Sequence, residues 1–200
     1  MRFLSVGGDA LLVEVTDVGE ATALFAEARR RAVDVVDVVP GARTVLFDGV
    51  RDLARLLDEI RSWSPGPSSV DPASRVDVPT SYDGADLAEV ARMWDMTTRE
   101  VVETHTSCEM VVAFCGFSPG FAYCTGLPDT LAVSRLDSPR SKVPAGSVAL
   151  AGEFTGVYPR ASPGGWRLIG HTDLTMWEEA REEPATLPPG TAVRFVEVGS

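Results

Sequence analysis

Gly116-Phe117-Ser118-Pro119-Gly120-Phe121-Ala122-Tyr123 is the stretch on which the fold turns, because it begins a change of texture. An apolar run, Glu109 to Phe114, leads into it, and residues 115 to 170 then hold nine glycines and six prolines. Proline fixes φ and lacks a donor, while glycine admits positive φ, so this punctuation excludes long helices and predicts short strands joined by shaped loops. Strands are predicted at Ser147 to Leu150, Thr155 to Tyr158, Trp166 to Ile169 and Ala192 to Val198. Many short strands leave edges exposed, and a closed or nearly closed barrel removes them.

Working back from that stretch, the periodicity becomes helical. Asp86 to Trp94 repeats apolar residues at helical spacing, and Thr97-Thr98-Arg99-Glu100 offers a capping box for a second helix ending near His105. Arg75 to Val78 reads as a strand before them. Ser64-Pro65-Gly66-Pro67-Ser68-Ser69-Val70-Asp71-Pro72 carries no period and reads as a linker, with a boundary near residue 72. Before it, a hairpin around Gly7-Gly8-Asp9, a helix from Gly19 to Arg31, strands at Val33 to Val39 and Ala42 to Phe47, and an amphipathic run from Val50 to Trp63 follow in order. The expectation is an α+β chain: a two-layer β2αβ2α domain at 1–72 and a barrel domain at 73–200.

The 200 residues are 44% hydrophobic and 24% charged, an ordinary globular balance. A net charge of -11 argues against gripping nucleic acid, and the acidity of the helix pair (Glu89, Asp95, Glu100, Glu103) argues against a DNA-binding helix-turn-helix. No segment approaches the roughly 18 apolar residues of a membrane span, and the N-terminus lacks a signal-peptide core, so a cytoplasmic protein is expected. Cys108, Cys115 and Cys124 form no Cys-x-x-Cys pair and are read as small buried hydrophobes, and no cluster of His with carboxylates points to a metal.

The charge is uneven. Residues 131–171 hold Arg135, Arg140, Arg160, Arg167 and the chain's one lysine, Lys142, against Asp137 and Glu153, a local balance of +3. Ser138-Pro139-Arg140-Ser141-Lys142-Val143-Pro144 sets an Arg and a Lys on a proline-stiffened turn suited to an anion. Tyr158-Pro159-Arg160-Ala161-Ser162-Pro163-Gly164-Gly165-Trp166 is a second turn sequence, in which Ser162 lacks a nucleophile elbow. The loop at 116–123 either cradles a carboxylate or phosphate on bare N–H groups or packs on the barrel through its aromatics, and no Walker or Gly-x-Gly-x-x-Gly motif accompanies it. Of the two histidines, His105 either packs at its helix end or reaches the site, and His171, following a strand in the positive island, is a candidate substrate contact or proton carrier.

Taken together, Gly116 to Tyr123, Pro139-Arg140 with Val143-Pro144-Ala145-Gly146-Ser147-Val148, and Thr155-Gly156-Val157-Tyr158-Pro159 with Ser162 to Trp166 and Leu168-Ile169-Gly170 resemble the KipI family. That family is also called allophanate hydrolase subunit 1 and includes the B-type subunit of ATP-dependent 5-oxoprolinase. The resemblance implies a cyclophilin-like barrel after the N-terminal domain. It also implies a companion subunit of the KipA (allophanate hydrolase subunit 2) type, a third subunit in the 5-oxoprolinase case, and a place in a complex that opens a lactam with ATP as co-substrate. No ATP site is visible in this chain, and the chain alone is expected to be inactive. The candidate catalytic set is His171, Arg140 and Lys142. The candidate set for a small carboxylate substrate is Phe117, Ser118, Gly120, Tyr158, Ser162, Gly164, Gly165, Trp166 and His105. The alternative is a regulatory module that inhibits a sensor histidine kinase, as one family member does. The chain departs from the family pattern at Glu153-Phe154, at Cys124-Thr125 and at His171, where an Arg is usual.

Overall fold

The computed structural model describes residues 1–64, 66 and 75–199, and the chain divides into two compact units, Met1–Val70 and Asp71–Ser200. Apart from Ser64 and Gly66, the expected linker lies outside the described residues, as does the expected boundary near 72.

The first unit runs β1 (Arg2–Val6), β2 (Ala10–Glu14), α1 (Val18–Arg31), β3 (Asp37–Pro40), β4 (Thr44–Asp48) and α2 (Leu53–Arg61). Its antiparallel sheet has the order β1-β2-β4-β3. Period-two alternation puts Leu11, Val13, Val45 and Phe47 in one buried cluster with Leu24, Phe25, Ala28, Leu56 and Ile60 of the helices. Asp17 caps α1 by accepting from Glu20 N at 2.8 Å, and Arg29-Arg30-Arg31 occupies its last turn, where the macrodipole favours cations. The strand expected from Val33 begins only at Asp37, because α1 ends on Ala32 in a left-handed conformation (φ 49) and the chain must turn before it can pair.

The second unit runs β5 (Arg75–Thr80), α3 (Leu87–Met93), α4 (Thr98–Ser107), β6 (Met110–Cys115), β7 (Ala122–Thr125), a 3-10 turn (Asp129–Leu131), β8 (Arg140–Val143), β9 (Ser147–Ala151), β10 (Phe154–Val157), β11 (Ser162–Gly164), β12 (Arg167–His171) and β13 (Ala192–Glu197). Seven strands form one sheet in the order β12-β9-β10-β7-β6-β13-β5, antiparallel except for the parallel β5–β13 pair. An antiparallel bridge between Ser81, just past β5, and His171 on β12 joins the two ends of that order, so the sheet is a nearly closed barrel. The barrel core includes Val78, Met110, Val112, Val148, Leu150, Ile169, Val193 and Phe195. β8 and β11 form a separate two-stranded ribbon, although both segments read as turns in the sequence. The expected capping box at Thr97 and Glu100 is formed in both directions. No described helix is long and apolar enough to cross a membrane.

Candidate functional site: an aromatic cleft on the barrel

The loop joining β6 to β7 is tied by Gly116 N to Phe121 O (3.2 Å) and Phe121 N to Ser118 O (3.0 Å), with an i to i+2 bond from Ser118 N to Gly116 O (2.7 Å) at its tip. That last bond makes Phe117 the centre of a γ-turn at φ 66, a costly conformation for a side chain with a Cβ. The strained residue presents its ring to solvent at 62% exposure. Behind it, Phe121 sits edge-on to Phe117, Tyr158 and Trp166, with centroid distances of 5.4, 5.2 and 5.2 Å. Tyr123 stacks on Phe114 at 4.3 Å and meets Trp166 at 5.4 Å. Edge-to-face packing of this kind fixes the rings as a rigid wall.

These rings enclose a cleft of about 100 Å³, lined also by Pro163, Gly164, Gly165 and Arg135. Gly164 is required, since a Cβ there would overlap the Tyr158 hydroxyl. The Arg135 guanidinium lies 6.0 Å from the Trp166 ring centroid, within cation–π range, and its residue is otherwise exposed. Burial raises the Tyr158 and Tyr123 phenols above their ordinary value, a backbone hydrogen bond from Trp166 and then Arg135 pulling Tyr158 part of the way back and Arg135 doing so for Tyr123, so both remain hydrogen-bond donors near neutrality. The Ser118 and Ser162 hydroxyls are buried without a hydrogen-bond partner among the described residues. A native fold seldom leaves such groups unsatisfied, and a bound polar ligand is one way to satisfy them. The cleft thus offers flat apolar faces, phenol hydrogen-bonding groups and one cation.

Of the sequence-derived candidates, Phe117, Tyr158, Gly164, Gly165 and Trp166 line this cleft. Ser118 and Gly120 belong to its loop, and Ser162 opens β11 beside Pro163. The expected catalytic trio is not gathered there. Arg140 gives Nη2 to the buried Asp86 carboxylate at 2.7 Å, so its charge is matched from within the protein. Lys142 is exposed on β8. His171 lines a different cavity and pairs with Asp83 through Nδ1 at 2.8 Å, with Asp173 also on the rim, so its surroundings are acidic and poorly suited to a carboxylate. His105 is fully buried in α4, between the Tyr82 hydroxyl and Phe195, and packs inside the barrel unit rather than reaching the cleft.

The positive island is partly neutralised by acids distant in sequence: Arg140 by Asp86 and Arg167 by Glu89, at 2.6 Å. Arg135, which lay in that island without a motif around it, is the cation that reaches the cleft. Cys124 lies buried in β7, while Cys108 and Cys115 are half-buried, and burial pushes the Cys115 and Cys124 thiols up to about 11 and about 12, where they are poor nucleophiles. Among the described residues no group of His, Cys, Asp and Glu could hold a metal ion.

Comparison with known proteins agrees with this architecture. The chain is 45% identical over 170 residues to the B-type subunit of 5-oxoprolinase from Escherichia coli O157:H7, covering 82% of this chain and 78% of that one. The Haemophilus influenzae protein of the same name is 34% identical over 181 residues, covering 88% and 85%. The crystal structure of TTHA0988 superposes with a TM-score of 0.79 at 30% identity, covering 96% of this chain, which spans only 40% of that longer chain. Residues 1–187 match the model of the carboxyltransferase domain, subdomain C and D. With that match running through both units, and with relatives named as B-type subunits of 5-oxoprolinase, the chain belongs to the carboxyltransferase subdomain C and D family, the KipI or allophanate hydrolase subunit 1 group.

Proposed function

We propose that this chain is the B-type subunit of a 5-oxoprolinase-type complex, an assembly that hydrolyses a lactam or amide at the expense of ATP. In this reading the barrel supplies one wall of an anion-binding pocket and a KipA-type companion supplies the other. The observation that carries it is the cleft itself. At about 100 Å³ it falls well below the roughly 300 Å³ at which ligand pockets begin, and its lip is an exposed, strained phenylalanine, so a second surface is needed to enclose a substrate. Arg135 holds the substrate carboxylate and the aromatic faces hold its ring. The contribution is orientation and charge placement, with no covalent nucleophile from this chain. Arg140 and Lys142 act on the pocket through the β8–β11 ribbon. ATP binds elsewhere in the complex, with a third subunit taking part. Three free cysteines suit a reducing compartment, and we place the protein in the cytoplasm.

The test is reconstitution. ATP-dependent ring opening is expected only from the complete assembly, and full activity of this chain alone overturns the reading. Within the assembly, Arg135→Gln is expected to raise KM for a carboxylate substrate about tenfold to a hundredfold, the worth of one charge-assisted hydrogen bond. The unfolding midpoint stays unchanged because the side chain is exposed, and an unchanged KM removes Arg135 from the site. An inert assembly, together with stoichiometric inhibition of histidine-kinase autophosphorylation by this chain, supports the regulatory alternative instead.

A further inference from the structure

The barrel seam carries a second cluster that the aromatic cleft does not use. Past β5 the chain runs antiparallel along β12. Ser81 and His171 exchange both backbone hydrogen bonds at 2.9 Å, Gly84 N reaches Ile169 O at 3.2 Å, and Asp86 N reaches Leu168 O at 2.8 Å. The approach is too close for side chains at two points. A Cβ on Gly84 would overlap the Ile169 carbonyl carbon, and one on Gly170 would overlap the Ser81 carbonyl oxygen. This zipper fixes the backbone on both sides of the Asp83–His171 pair, whose Oδ1 and Nδ1 are 2.8 Å apart. A carboxylate can only accept, so Nδ1 of the neutral ring carries the proton and Nε2 is left as an acceptor.

His171 lines a cavity of about 220 Å³. Pro79, Leu174 and Val198 give it an apolar lining, and Ser81 and Asp173 add a hydroxyl and a carboxylate. No arginine or lysine is among the residues lining it. A site with an imidazole acceptor, a carboxylate and no cation repels anions and suits a donor-rich positive group joined to a short hydrocarbon.

We propose that this cavity binds a small primary alkylamine as its ammonium ion, and that His171, held by Asp83, accepts a hydrogen bond from it at Nε2. The proposal stands apart from the reading of the aromatic cleft, since it needs neither the companion subunit nor ring opening.

The chain has two histidines, one of them fully buried, so the imidazole ring protons can be followed by NMR in the full-length protein without ambiguity. Titration with ethylammonium chloride at constant pH and ionic strength is expected to shift the His171 signals saturably, with millimolar affinity because the ligand has so few atoms. Butylammonium should bind more tightly, sodium acetate should leave the signals in place, and the His105 signals should not move. Read at the Leu174 amide, His171→Gln and Asp173→Asn are each expected to weaken binding at least fivefold without lowering the unfolding midpoint, both side chains being at the surface. A shift that does not saturate, an equal shift with acetate, or undiminished binding in His171→Gln overturns the proposal.

Discussion

Lowering the pH from 6.5 is expected to destabilise the barrel unit by roughly 1.4 kcal/mol per pH unit through His105 alone. The ring is fully buried, with Nδ1 2.7 Å from the Tyr82 hydroxyl and Nε2 3.3 Å from Thr155 Oγ1, and burial drives its pKa from 6.5 down to about 3. The folded state therefore keeps a neutral imidazole while the unfolded chain takes up a proton below 6.5. The unfolded state binds more protons throughout that interval, so stability is intact above 6.5, falls as the pH falls, and stops falling from this cause once the folded ring also titrates near 3. The window from 6.5 to 5 keeps the lowered carboxylates of the barrel unit, Asp77 and Glu100, out of the measurement, because they lose their contributions only in more acid solution, and the His105→Gln variant separates His105 from every other group. Urea midpoints followed by tryptophan fluorescence measure it. A Trp63→Phe background leaves Trp94, Trp166 and Trp177, all within the second unit, as reporters. In that background His105→Gln, which cannot titrate, should flatten the slope between pH 6.5 and 5. An unchanged slope would mean that His105 is not the group responsible.

The barrel was legible in the sequence because its strands are set by local cues. Gly and Pro delimit them, and the four predicted strands at β9, β10, β12 and β13 lie within one or two residues of the observed ones. The loop at 116–123 and the turn at 158–166 also announced themselves by composition, and most of the cleft lies on them. What the sequence did not disclose depends on contacts between distant residues. β8 and β11 read as turns because their pairing is only two registers long and interrupted by a bulge, so no alternation marks it. Charge counted along the chain made Arg140 a free anion receptor, whereas Asp86, 54 residues earlier, is its partner. Arg135 reaches the cleft only because the barrel brings Trp166 beneath it, and no motif at position 135 signals that. The Asp83–His171 pair, 88 residues apart, follows from seam closure rather than from either local sequence.

Asp86 is expected to be the most costly single polar residue to remove from the barrel seam: Asp86→Ala should lower stability by about 3 kcal/mol. It stands at the N-cap of α3 yet makes no side-chain cap, because both carboxylate oxygens are spent across the fold. Oδ2 accepts from the buried Leu168 N–H at 2.7 Å, and Oδ1 accepts from Arg140 Nη2 at 2.7 Å. Truncation leaves an amide without an acceptor inside the protein and a guanidinium, only 28% exposed, without its counter-charge. Loss of the second partner is the larger harm, since a half-buried charge that has lost its pair cannot fully regain solvation. Asp86→Asn keeps an acceptor for Leu168 but loses the charge, and should fall between wild type and Asp86→Ala. Because Arg140 begins β8 and its backbone pairs with Gly164 of β11, the damage should reach the aromatic cleft, which Gly164 lines. Near-ultraviolet circular dichroism of the aromatic cluster should therefore weaken in Asp86→Ala under conditions where the protein remains folded. A double-mutant cycle with Arg140→Leu separates the pair from its surroundings: if the clasp is real, the double variant is more stable than the sum of the single losses predicts, since neither charge is then left alone. Strict additivity, or an Asp86→Ala protein as stable as wild type, would show that the seam is held by its backbone zipper and that the ion pair adds nothing.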